Sequence, residues 1–428
     1  MGLLLGCIAD DFTGATDIAA LLARSGLPVA LRIGVPDGPA DPDDLAMFEV
    51  IALKCRTAPV DDAVADAGRA LQWLKQAGAT HFFWKYCSTF DSTRHGNIGP
   101  IAEMLMTELG VEHTIYCPAF PQNGRSVFMG HLFVGHQLLS DSPMKDHPLT
   151  PMRDSSLMRL LAPQVRGRIG LIDHRRITQG ADAVRAELQR LREDGVAHVV
   201  VDAISDEDLH IIAAAAAGMR LLTGGSALAG ELPEIYRQQG LVAPACATAS
   251  SSRARGKPAG GQLVLSGSCS AMTRKQARSY AAHAASLHLD PISLARDGTS
   301  AARKWLQQQS LHAPKLISAT SEPEDVRKAQ EKLGAGRAGQ VVEHSLAELA
   351  QLAFELGVRR FVVAGGETSG AIIQALGITR LQIGPEIAPG VPWTFADVEG
   401  ERVALALKSG NFGGETFFDD AFSLLEAA

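Results

Sequence analysis

Short apolar, β-branched runs alternate with helix-length amphipathic stretches along most of the chain, a pattern that sets the fold class as α/β with mostly parallel sheets. In the first half, strands are predicted at Leu3–Ala9, Val29–Ile33, Val50–Lys54, His81–Tyr86, Thr114–Cys117, Ile169–Ile172 and Ala197–Asp202. Helices are predicted at Gly14–Arg24, Asp61–Gln76, Asn97–Leu109, Ala181–Glu193 and Asp206–Ala217. At 428 residues the chain exceeds what one core usually supports, so two domains are expected. Between Leu241 and Gly261 the composition turns to Ala, Ser, Arg, Pro and Gly, as in a flexible linker. The expected division is therefore a first domain at 1–240, a linker at 241–261 and a second domain at 262–428, each a mostly parallel sheet flanked by helices. The stretch Ser250–Pro258 also carries Arg253, Arg255 and Lys257; a basic phosphate loop is the other reading, weakened by the lack of a following amphipathic helix.

Charge and cysteine usage exclude several classes. Forty-seven acidic against forty basic residues give a net charge of -7, which argues against nucleic-acid or anionic-membrane partners and for a small-molecule one. No run of about eighteen apolar residues occurs, so no membrane span is expected. The first residues lack a basic segment and meet Asp10 and Asp11 too soon for a secretory signal. The six cysteines, Cys7, Cys55, Cys87, Cys117, Cys246 and Cys269, show no C-x-x-C pair, so neither a disulfide framework nor a zinc site is suggested. A reducing, cytoplasmic setting is expected, and a homodimer is one expectation for its assembly.

Two strand-loop-helix switches carry the chemistry. Ile8-Ala9-Asp10-Asp11-Phe12-Thr13-Gly14-Ala15 presents adjacent carboxylates where a strand ends, and Val363-Ala364-Gly365-Gly366-Glu367-Thr368-Ser369-Gly370 presents glycine N–H groups at a helix start, where the dipole favours phosphate. Glycine or serine turns also follow the strands ending at Leu265 and Leu407. Open α/β sheets bind ligands at the carboxyl ends of their strands, and three such loops in one domain point to a nucleotide. Neither G-x-x-x-x-G-K-[ST] nor G-x-G-x-x-G after a strand occurs, and the protein-kinase motifs are missing.

The first switch, with Ser266-Gly267-Ser268-Cys269-Ser270, Gly365-Gly366-Glu367-Thr368-Ser369-Gly370 and Lys408-Ser409-Gly410-Asn411-Phe412-Gly413, resembles the four-carbon acid sugar kinase family over essentially the whole chain. Tyr116–Arg125 is similar to that family's substrate domain. The resemblance implies an N-terminal acid-sugar domain, a C-terminal ATP domain and an active site in the cleft between them. It further implies phosphoryl transfer from ATP, with Mg2+, to the 4-hydroxyl of a four-carbon sugar acid. The Ser-Gly-Ser-Cys-Ser and Ser-Gly-Asn-Phe-Gly runs look most like the branch acting on 3-oxo-tetronate; branches acting on threonate or erythronate, and a non-catalytic acid-sugar sensor, are the alternatives.

Phosphoryl transfer to an alcohol needs a carboxylate near the hydroxyl, and cations and donors around the transferred phosphate. Consecutive Asp10 and Asp11 point to different sides if strand geometry persists, so one can face substrate while the other caps the following helix. Asp11 is the first choice for the base, with Asp10 beside it; two mere caps are the bland reading. A sugar carboxylate wants cations and hydroxyls, which Lys54, Arg56 and Lys85 at strand ends, and Ser88, Thr89, Asp91, Ser92 and Thr93 beyond, would provide. By motif resemblance Asn123, Gly124 and Arg125 join them. His131 and His136 read as part of a hairpin without metal-ligand spacing, so substrate contact is the sharper role for His131, as for Lys145, and His147 before Pro148 reads as a turn. In the second domain Gly365, Gly366 and Thr368 are the phosphate candidates, and Glu367 is placed to hold Mg2+ or simply to favour the helix dipole. By resemblance Ser266 and Gly410 complete the cradle. A turn at Pro385–Gly390 would wall the adenine or serve only as a turn.

Overall fold

The apolar runs of the first half become strands, those inside the parallel sheet buried on both faces. They are β1 (Leu5–Ala9), β2 (Val29–Ile33), β3 (Phe48–Ala52), β4 (His81–Lys85) and β5 (Thr114–Cys117), followed by β6 (Arg125–Phe128), β7 (His131–Val134) and β8 (Gln137–Leu138). Then come β9 (Arg168–Ile172), β10 (Val196–Val201) and β11 (Leu221–Gly224). This computed structural model describes residues 2–146, 150–242 and 258–427. The chain divides into two compact units, Met1–Ser252 and Arg253–Ala428. Most of the expected linker, including the basic stretch at 253–257, lies outside the described residues, as do Cys246 and the turn at His147.

In the first unit the strand order is β2-β3-β1-β4-β11-β5-β10-β9, with every pairing parallel. The chain leaves β1 for β2, returns through β3, and crosses β1 to reach β4. The carboxyl end of β1 is therefore the topological switch point, where open α/β sheets place ligands. The helix after β1 spans Phe12–Ala23, two residues earlier than expected, because Asp11 is its N-cap and accepts from the Gly14 amide. The hairpin expected around His131 is present, with β6, β7 and β8 in a separate antiparallel sheet. A buried carboxylate, Asp202 at the end of β10, ties this sheet down by accepting from the amides of Met129 at 2.6 Å and Gly130 at 2.8 Å.

The second unit holds β12 (Gly261–Ser266), β13 (Ala285–His288), β14 (Lys315–Ser318), β15 (Val358–Ala364), β16 (Arg380–Ala388), β17 (Val391–Val398) and β18 (Glu401–Lys408). Their order is β13-β14-β12-β15-β18-β17-β16, with the first five parallel and the last two added antiparallel. Here the switch point lies between β12 and β15. One face is packed by Trp393, Tyr280, Phe417, Phe418 and Phe422. The helix after β12 spans Ala271–Ala281 and can run little further, because Ala285 opens β13. The run from Pro385 is not a free turn: Pro385 to Ala388 belong to β16, paired to β17 with shifted register, and only Pro389 and Gly390 reverse the chain. Irregular register is where a sheet tolerates proline.

Candidate active site

At the first switch point the backbone itself gathers the candidates. The Asp10 carbonyl accepts from the amides of Cys55 and Arg56, at 3.0 and 3.1 Å, and the Asp10 amide donates to Lys85 O at 3.1 Å. Residues after β1 and β3 and at the end of β4 thus meet at one point. Arg56 forks onto Asp10, with Nε 2.7 Å from Oδ2 and Nη2 3.0 Å from Oδ1, and also reaches Asp11 Oδ1 at 2.9 Å. The loop bearing Arg56 is held by buried Asn97, whose Nδ2 donates to Cys55 O at 2.6 Å and Ala58 O at 3.0 Å.

The two carboxylates differ sharply. The Asp10 side chain is 5% exposed with both oxygens on Arg56; burial opposes its charge, but the guanidinium outweighs burial and holds it below the usual carboxylate range. Asp11 keeps 29% exposure, and burial, joined by the Asp10 charge, pushes its carboxyl up against the pull of Arg56. Its Oδ1 caps the helix by accepting from Gly14 N at 2.7 Å.

Lys85 is buried, and its ammonium crosses directly over Gly14, where a Cβ would lie 2.2 Å from Nζ. Among the described residues it makes no hydrogen bond or ion pair, although Asp10, Asp11 and Asp17 all feel its charge. A buried ammonium without a partner is a group prepared for an anion. Asp17 is a member that the sequence reading missed. Its Oδ2 accepts from Ser226 Oγ at 2.6 Å, while Oδ1 is buried with no partner. Burial pushes the Asp17 carboxyl up. The one sequence signal for it was an isolated acid within the apolar helix stretch from Ala15 to Leu22.

Of the other candidates, Asp91 reaches to 3.9 Å from Arg56 and accepts from Thr89 Oγ1 at 2.6 Å. Ser88 is half-buried in the same loop, and Lys54 stands exposed beyond β3. Arg125 and His131 lie on the antiparallel hairpin and Asn123 ends the 3-10 turn Pro121–Asn123 before it; no hydrogen bond or ion pair among the described residues links them to the Asp10 cluster. Arg125 donates to Asn123 O, and its Nε is buried without an acceptor. His131 Nδ1 donates to Met129 O at 2.8 Å.

In the second unit a cavity of about 690 Å³ opens over the carboxyl ends of the parallel strands, within the size range of cofactor pockets. Its polar end is made by Gly267, Ser268 and Cys269 after β12, Gly365 to Thr368 after β15, and Gly410 after β18. Its apolar wall includes Ile292, Val326, Ala329, Ala338 and Val342. The glycines permit close approach: a Cβ on Gly267 would lie 2.2 Å from Thr368 Oγ1, and Gly365 has φ 127°. The helix Gly366–Ala375 starts at this end, with its N-terminus at the cavity. Glu367 is exposed on that first turn and lines the cavity. Ser266 itself is fully buried, bonded through its hydroxyl to Thr320 at 2.6 Å; the cavity wall begins at Gly267. The walls from the helices Pro323–Leu333 and Ala335–Glu355 were not anticipated. Among the described residues no group of three or more His, Cys, Asp or Glu forms a metal cage, and no helix is long and apolar enough to cross a membrane.

A polar, cation-lined switch point in one unit and a glycine-lined cavity in the other are two sites suited to small anionic ligands. Family models agree in both halves: residues 5–232 match a sugar-binding N-terminal domain and residues 263–418 a nucleotide-binding C-terminal domain. The chain belongs to the four-carbon acid sugar kinase family. Its full-length relatives include the 3-oxo-tetronate kinases of Cupriavidus necator, 49% identical over 99% of this chain and 97% of that one, and of Pseudomonas fluorescens, 48% identical with the same coverage. Among solved structures it resembles a Salmonella typhimurium LT2 protein, with TM-score 0.88 and 42% identity over 97% of this chain and 98% of that one. A Haemophilus influenzae protein of the DUF1537 family matches with TM-score 0.81 and 41% identity, covering 98% and 100%.

Proposed function

We propose that this chain is an ATP-dependent 3-oxo-tetronate kinase that phosphorylates the terminal 4-hydroxyl of its substrate. The observation that carries the reading is the full-length likeness, up to 49% identity, to kinases of that name. The geometry supports roles for its residues. Asp11, the more exposed carboxylate with the raised pKa, takes the proton of the 4-hydroxyl as it attacks the γ-phosphate. Asp10 stays ionised under Arg56 and fixes that guanidinium in place. Lys85, buried and unpartnered, receives the substrate's carboxylate or the charge developing on the transferred group. Arg125, with a buried Nε lacking an acceptor, is the second candidate for the acid.

The nucleotide lies in the cavity of the second unit, its base against the apolar wall and its phosphates on the amides of Gly365 to Thr368, where the helix dipole favours anions. Glu367, an exposed carboxylate beside those phosphates, fits the modest protein share in holding magnesium, which supplies charge neutralisation when bound. Gly267→Val puts atoms into the space of Thr368. It should raise the KM for ATP by about 5- to 150-fold, the equivalent of 1–3 kcal/mol of overpacking, and leave the KM for the acid unchanged.

The reading is tested by following ADP release from MgATP with 3-oxo-tetronate, threonate and erythronate in turn. Turnover on 3-oxo-tetronate alone is the expected result. Turnover on threonate or erythronate in its place would assign a sister activity, and ligand-induced stabilisation with no ADP from any acid would make the protein a sensor.

A further inference from the structure

Lys408, the last residue of β18, is almost fully buried, yet its ammonium meets only neutral acceptors. Nζ donates to Gly410 O at 2.8 Å and Thr273 Oγ1 at 3.1 Å, and lies 6.0 Å from the centre of the Phe417 ring. Thr273 Oγ1 in turn donates to Gly410 O at 2.7 Å. One turn further along the helix Ala271–Ala281, Gln276 Nε2 donates to Phe412 O at 3.0 Å and Gly414 O at 2.8 Å, with Gly413 O at 3.4 Å. Thr273 and Gln276 are fully buried. Three side chains therefore draw the carbonyls of Gly410, Phe412, Gly413 and Gly414 inward.

The peptide unit is planar and trans, so the N–H that follows each inward carbonyl points the opposite way. Those groups belong to Asn411, Gly413, Gly414 and Glu415, and none of them donates to a protein acceptor among the described residues. A run of N–H groups facing one side is an anion-binding concavity. Gly410, at the head of this loop, lines the nucleotide cavity.

We propose that Lys408, with Thr273 and Gln276, is a positioning residue for nucleotide binding: the clamp on the loop's carbonyls aims its N–H groups at the phosphates, and the ammonium behind the loop adds its charge. The inference rests on the kinase reading of that cavity. A lone buried ammonium is costly; Lys315, also buried on carbonyls alone, ties down the turn from Ser310 to Ala313, whereas Lys408 backs a loop whose first residue lines the cavity. The charged groups on the packed elements are engaged elsewhere: Lys275 with Glu415 at 2.7 Å, Arg274 and Arg278 with Glu322, and His283 with Asp419 at 2.9 Å. On the cavity side stand His288, Asp290, Glu343 and Glu367, with Asp325 and Lys328 paired to each other at 3.0 Å, and none forms an ion pair with Lys408.

Burial pushes the Lys408 ammonium down to about 7, so near neutral pH the free protein holds it partly uncharged. Bound phosphate favours the charged form, so nucleotide binding takes up a proton, and affinity falls as pH rises from 7 to 9. The test is calorimetric titration of a non-hydrolysable ATP analogue with magnesium, at pH 7, 8 and 9, in buffers of different ionisation enthalpy. Wild type is expected to take up close to one proton at pH 8 and, as that uptake requires, to lose roughly 30-fold in affinity between pH 7 and 9. Lys408→Met keeps His288 and Glu367, so the difference between the proteins belongs to Lys408. The variant should melt no lower than wild type, bind the analogue roughly 30-fold more weakly at pH 7, and show no such pH dependence. Equal affinity in the variant overturns the inference, and so does a wild type that takes up no proton, a result that stands even if the variant fails to fold. A wild type that binds no nucleotide at any pH overturns the kinase reading itself, and this inference with it.

Discussion

Replacing Asp11 by asparagine is expected to lower kcat by roughly 10²–10⁴, the usual contribution of a general base, with the KM for ATP unchanged. The substitution is clean because asparagine caps a helix as well as aspartate, and its Oδ1 can still accept from Gly14 N. The pH profile gives a second reading of the same group. Burial, with the Asp10 charge, raises the Asp11 carboxyl, so the base is protonated and activity lost as pH falls through a value above that of an ordinary carboxylate. In Asp11→Asn that acid limb should vanish along with the rate. Near wild-type turnover in the variant would move the base to another residue.

Arg56→Met is expected to cost the fold about 3–5 kcal/mol, because it strands the buried Asp10 carboxylate without its counter-charge. For a unit of this size that corresponds to a melting temperature lower by roughly 6–20 °C. The pH dependence has a definite sign. Asp10 is held below its unfolded pKa by Arg56, so the stability it contributes is present above the ordinary carboxylate range and is lost as pH falls through the depressed value. The deficit of Arg56→Met should therefore be full at neutral pH and shrink in acid. Adding Asp10→Asn removes the stranded charge and should recover part of the loss, a coupling visible in a double-mutant cycle. A single variant within 1 kcal/mol of wild type would show that the fork carries little of the site's stability.

Local signals account for what was legible in the sequence. The apolar run Leu5–Ala9 is broken abruptly by two carboxylates and then by Gly14, and that discontinuity alone marks a strand end facing a ligand. Arg56 and Lys85 were visible for the same reason, as cations where buried strands stop, and the sheet order brings all four residues to one switch point. The glycine loops at Gly267, Gly365 and Gly410 were legible as loops, and β12, β15 and β18 place them on one cavity.

What escaped depends on partners distant in sequence. Asp17 looks like one acid in a helix until Ser226, which opens the helix after β11, arrives to bond it. The apolar cavity wall comes from amphipathic helices whose residues carry no motif, and their role follows only from packing. Pro385 to Ala388 read as part of a turn because proline and glycine cluster there, whereas pairing with β17 holds them in a strand. Lys408 stood inside a recognised motif, but that it is buried without a carboxylate could be seen only once Thr273 and Gln276 were placed beside it.

The most direct test of the central claim is the phosphorus NMR spectrum of the product formed from MgATP and 3-oxo-tetronate. Transfer to the 4-hydroxyl yields a phosphate ester on a CH₂ group, so the account predicts a new signal split into a triplet by two protons. A doublet would place the phosphate on the hydroxyl of the single-proton carbon. An unsplit signal, from free phosphate or an acyl phosphate, would contradict transfer to an alcohol altogether.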